Sequence, residues 1–156
     1  MNLIGHLRGS QRLLNPDIRR WILNVIVSLL VFLFVYAAMT KMMAMDQFRV
    51  QIGQSPLLTR WSGMLSWVVP GVELLVSVIL CYRPTRVAGL FVSFGLMVMF
   101  TTYIIVVMNF SPFVPCSCGG VLEDMTWGQH LVFNVVFVVL ALVGIVLSAK
   151  EEEVYT

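Results

Sequence analysis

Four long apolar runs separated by short polar stretches set the pattern of this chain. They cover Trp21 to Thr40, Trp67 to Tyr82, Val87 to Phe110 and Trp127 to Ala149. A bilayer core is spanned by roughly 20 apolar residues in a helix, so each run predicts a transmembrane helix. The first run is too long for the apolar core of a signal peptide, roughly 7–15 residues, and reads as an uncleaved span. Between the first two runs the pattern changes. Met42, Met45, Phe48 and Ile52 recur at helical spacing with Asp46, Gln47, Arg49 and Gln51 between them. That spacing predicts a short interfacial helix, ended by Gly53 and Ser55-Pro56. Trp61 and Trp67 mark the aqueous boundary where the second span is expected to begin.

Composition makes a water-soluble globule untenable. The chain of 156 residues is 59% hydrophobic and only 12% charged, with mean hydropathy +0.91, where a soluble domain carries about 25% charged residues. The expected fold is therefore all-α, a four-transmembrane-helix bundle in the lipid bilayer, occupying residues 21–149. A basic juxtamembrane segment, 1–20, precedes it, and an acidic tail, 150–156, follows. The net charge of +2 gives no reason to expect a nucleic-acid partner. Arg8, Arg12, Arg19, Arg20, Arg83, Arg86 and Lys150 fall in the terminal segments and the 83–86 turn; the other two connections hold Lys41, Arg49 and Arg60. By the positive-inside rule both termini are expected in the cytoplasm. The 111–126 connection then faces outward, the side on which dithiols become oxidised.

Polar residues within the spans collect towards that outer side. Lys41 ends the first span, Glu73 lies just inside the second, Asn109 closes the third, and His130 and Asn134 share a face at the start of the fourth. Ionisable groups at such depth are costly and mark functional sites. Lys41 and Glu73 are expected to pair and to support the site. Asn109 and Asn134 are expected to hydrogen-bond between helices, and His130 to exchange protons.

The stretch Pro115-Cys116-Ser117-Cys118-Gly119-Gly120 supplies the chemistry. Thiol exchange requires an accessible thiolate and a second sulfur within reach, and Cys116 and Cys118 stand one residue apart on a turn-rich loop. Three readings stay open for them: a catalytic pair, a permanent staple, and, with His130 and neighbouring methionines, a copper-handling site. Cys81, at the far end of the second span, is expected to pack.

These residues also carry a resemblance. The Thr40-Lys41 end of span one and Phe48 through Pro56 resemble the MauE family of methylamine-utilisation membrane proteins, within the DoxX-like four-helix group. So do Val69-Pro70-Gly71-Val72-Glu73, the Cys-x-Cys-Gly-Gly stretch, Trp127 and the His130–Asn134 stretch. The resemblance implies a bundle similar to the membrane domains of disulfide-generating and vitamin K epoxide reductase type proteins. It also implies a place in the bacterial inner membrane and a periplasmic thioredoxin-like partner or secreted cysteine-containing substrate. A quinone cofactor is implied; from the residues themselves no resident metal is expected. The expected function is thiol–disulfide exchange through Cys116 and Cys118, with His130 as proton group; the alternatives are a non-catalytic assembly subunit and a copper-handling protein.

Overall fold

A computed structural model of the chain describes residues 15–54, 59–110 and 126–152. Among these residues the structure is helical throughout and contains no strand. Helix α1 covers Pro16–Met43, the short α2 Met45–Gln54, α3 Ser62–Cys81, α4 Arg86–Phe110 and α5 Trp127–Glu152. Single 3-10 turns, Thr59–Trp61 and Arg83–Thr85, lead into α3 and α4. Helices α1, α3, α4 and α5 are each long and apolar enough to cross a membrane.

Two helices start earlier than their apolar runs. α1 begins at Pro16 rather than Trp21, because proline is already set for the first helical position and Asp17 faces the positive end of the helix dipole. α3 begins at Ser62 rather than Trp67. Thr59 donates to the Gly53 carbonyl (2.8 Å) and Ser62 to the Thr59 carbonyl (3.0 Å), and these bonds wind the chain into a helix before its hydrophobic stretch starts. The short α2 forms where expected, except that Met42 belongs to α1 and is exposed and that the helix runs past Gly53. It turns Met45, Phe48 and Ile52 inward and packs on the early part of α3. Arg49 lies over Gly63, where an added Cβ would stand 3.4 Å from Nη2.

Contacts along the spans define an up–down–up–down bundle. α1 packs chiefly on α3 and α4 chiefly on α5, with α3–α4 and α1–α5 closing the ring. The ends of the described bundle at Asn15 and Glu152 therefore lie together, opposite the end where Lys41 and His130 lie. Leu23, Ile26, Val27, Leu30 and Phe34 of α1 meet Val76 and Leu80 of α3, Leu90 and Met97 of α4 and Ala141 of α5. Lipid is as apolar as these side chains, so close van der Waals packing holds the spans together. Two glycines permit it. A Cβ at Gly89 would come within 3.0 Å of Leu80, and one at Gly144 within 3.0 Å of Leu90 and 3.3 Å of Ile26. Outward positions such as Phe32, Val78 and Val132 are exposed.

Candidate functional site: a buried ion pair where four helices meet

Lys41 is two residues from the end of α1, where a lysine in a membrane normally extends towards water. Here it does the opposite. Helical Cβ bonds tilt towards the N-terminus, and Nζ folds back to within 3.5 Å of the Ala37 carbonyl. What draws it inward is Glu73, whose Oε1 accepts a hydrogen bond from Nζ at 2.6 Å. Glu73 is fully buried.

The carboxylate stands deeper than a span starting at Trp67 implies. Counted from Ser62 it is eleven residues in, or about 16 Å along a helix rising 1.5 Å per residue. It belongs to a buried stripe of α3 formed by Ser66, Pro70, Glu73 and Ser77, positions spaced to share one helical face. Pro70 has no N–H to offer the Ser66 carbonyl. Below it, Ser77 Oγ donates to the Glu73 carbonyl at 2.9 Å. Glu73 Oε2 is buried and has no hydrogen-bond partner among the described residues. One carboxylate oxygen is thus committed to the ammonium and the other is available to a donor or a proton.

Aromatic rings complete the surroundings of the cation. Nζ lies 5.8 Å from the centre of the Phe48 ring on α2 and 5.6 Å from that of Phe100 on α4. Both are within the range at which a ring face attracts a cation. His130 lies near the start of α5, at the same end of the bundle as Lys41. The node of ion pair and rings draws on α1, α2, α3 and α4.

The local sequence of α5 explains how His130 is placed. Thr126 N–H donates to Gln129 Oε1 (2.9 Å) and Gln129 N–H to Thr126 Oγ1 (3.4 Å), a reciprocal capping box at the helix start. His130 N–H then donates to the Thr126 carbonyl. The Thr126-x-x-Gln129 signature was available in the sequence.

The two asparagines do not bridge helices through the bonds they make. Asn109 is exposed and donates to the Ile105 carbonyl at 2.7 Å, while the buried Asn134 donates to the His130 carbonyl at 3.0 Å. In each case the nearest acceptor is the carbonyl one turn back on the same helix. Cys81 is exposed at the end of α3 instead of packed. Cys116 and Cys118 lie outside the described residues; their segment joins the bundle between Phe110 and Thr126, at the His130 end.

A family model described as Methylamine utilisation protein MauE matches residues 19–147, most of the chain. No curated protein and no solved structure matches it.

Proposed function

The chain belongs to the MauE family, and from that premise we propose that it is a membrane thiol–disulfide redox protein whose Cys116 and Cys118 exchange with an exported thioredoxin-like partner. The observation that carries this reading is positional. The segment bearing both cysteines leaves and rejoins the bundle at the end where Lys41 and His130 lie, with Glu73 buried below. On this reading the protein sits in the bacterial inner membrane with that end towards the periplasm.

In the exchange, a partner thiolate attacks one sulfur of the Cys116–Cys118 disulfide, giving a mixed disulfide and one cysteine thiolate. The partner's second thiol, as thiolate, attacks the mixed disulfide. The partner leaves oxidised, and Cys116 and Cys118 remain as a dithiol. Re-forming their bridge releases two electrons and two protons. A membrane quinone would supply the two-electron acceptor, becoming quinol. Its carbonyl would need N–H donors, which Lys41 and His130 can offer, and Glu73 Oε2 is an acceptor for a released proton. His130 is the group expected to move protons between the thiols and the node.

The ion pair itself favours a second reading. Lys41–Glu73 joins α1 to α3 without requiring a substrate, as in a non-catalytic assembly subunit whose disulfide is static. Trapping free thiols in intact cells with a membrane-impermeant alkylating mass tag separates the two. Under the redox reading, the Cys116/Cys118 oxidation state follows the quinone pool when respiration is inhibited. A pair that stays oxidised whatever the pool does leaves only the static reading.

A further inference from the structure

The opposite end of the bundle is closed by a different contact. Arg86, the first residue of α4, reaches across the bundle to α1, where Nη1 donates to Asn24 Oδ1 at 2.9 Å. α1 and α4 are diagonal in the ring of helices, so this side chain spans the end of the bundle. The guanidinium is not fully used there. Its Nε is buried and has no hydrogen-bond partner among the described residues.

Other cations lie close in the chain to Arg86 and to Asn24. Arg83 is exposed on the 3-10 turn three residues earlier, and Arg20 is exposed on α1 one turn before Asn24. Arg19 stands beside Arg20 in the chain. Asp17, an acid on α1, lies three residues before Arg20. An arginine fork with an unsatisfied buried N–H, flanked by exposed arginines at the rim of a membrane-spanning bundle, matches the chemistry of a phosphate oxygen. Basic pockets between spans bind anionic lipid headgroups for this reason.

We propose that the corner formed by Arg86, Arg83, Arg20 and Asn24 is a binding site for the phosphate of an anionic phospholipid. The headgroup oxygens accept from Arg86 and Arg83, and the acyl chains lie along the apolar outer face of α3, where Leu75 and Val78 are exposed, with Tyr82 just beyond. The site is independent of the thiol chemistry and lies at the other end of the molecule.

The test uses the full chain in a non-ionic detergent, with phosphatidylglycerol binding followed by native mass spectrometry and by thermal stabilisation. Arg83→Gln and Arg86→Gln are compared with Arg60→Gln, a control near the other end. Arg83 is exposed, so its variant tests binding without disturbing the fold. Each of the two variants is expected to weaken phosphatidylglycerol binding about fivefold, with Arg60→Gln unchanged and phosphatidylcholine bound more weakly throughout. Equal binding by all variants overturns the site. Equal retention of phosphatidylcholine overturns the preference for an anionic lipid. Competition by inorganic phosphate at the same affinity overturns the lipid and assigns the corner to a free anion.

Discussion

The two ends of the bundle are each tied by a cation, and the ties differ in kind. At one end Lys41 meets a full opposite charge that is completely buried, with Phe48 and Phe100 around the ammonium. At the other, Arg86 meets a neutral amide in an exposed setting. An exposed contact of the second kind is solvated on both sides of the folding equilibrium and is worth little. A buried ion pair has already lost its hydration, and either partner left alone keeps that loss without the compensation. The difference teaches where charge is retained for more than cohesion. Closing a bundle end needs only an Arg86–Asn24 contact, whereas Lys41–Glu73 takes a charged pair into the apolar interior.

The largest effect should come from splitting the buried pair. Glu73→Leu, which strands the ammonium among two rings and apolar helices, is expected to destabilise the fold by roughly 3–5 kcal/mol. Lys41→Met should do the same to the carboxylate. The double variant should recover most of that loss, since an apolar pair of similar volume needs no compensation. Unfolding in detergent of both single variants and the double variant closes the cycle. A purely additive double variant would mean that the two charges do not depend on each other.

Next in size is a packing change in the apolar half. Gly144→Leu adds a side chain where even a Cβ would touch Leu90 and Ile26. It is expected to lower stability by about 1–3 kcal/mol through overpacking. Gly71→Ala, where nothing lies within 4 Å of an added Cβ, should be nearly neutral, and the same melting assay compares them.

At the weak end of the comparison, Asn24→Ala is expected to cost at most about 1 kcal/mol, because it removes a single exposed hydrogen bond. A loss as large as that of Glu73→Leu would erase the distinction between the two ends. Smallest of all should be Asn109→Ala, whose exposed amide only bonds its own helix. Thermal stability should not change measurably.

How much of this was legible in the sequence depends on range. The four spans follow from long apolar runs, and the pairing of Lys41 with Glu73 follows from the cost of leaving two opposite charges apart in a membrane. Two helix starts lie outside the apolar runs, where hydrophobicity carries no signal of them. Pro16 and Ser62 begin helices through backbone geometry and local hydroxyl bonds, which continue past the apolar residues. The capping box at Thr126 and Gln129 is local and could have been read directly. Contacts such as Lys41 with Phe100, or Arg86 with Asn24 across 62 residues of chain, carry no local signal, because helix rotation decides which faces meet. Asn109 and Asn134 show the same limit in reverse, a carbonyl one turn away being nearer than any neighbouring helix. Cys116 and Cys118, the clearest chemical motif, are placed by connectivity alone.

Whether redox function resides at the Lys41 end and uses its charges is read out by the rate at which the reduced Cys116/Cys118 pair is reoxidised in membranes, followed by thiol trapping after a pulse of reductant. The wild type, the Lys41→Met/Glu73→Leu double variant and Asn24→Ala are compared at equal amounts of folded protein. The double variant, folded but without the charges, is expected to reoxidise at least about tenfold more slowly, a difference of about 1.4 kcal/mol in barrier height, while Asn24→Ala keeps the wild-type rate. Equal rates in all three would contradict it and leave the buried pair with no part in the chemistry.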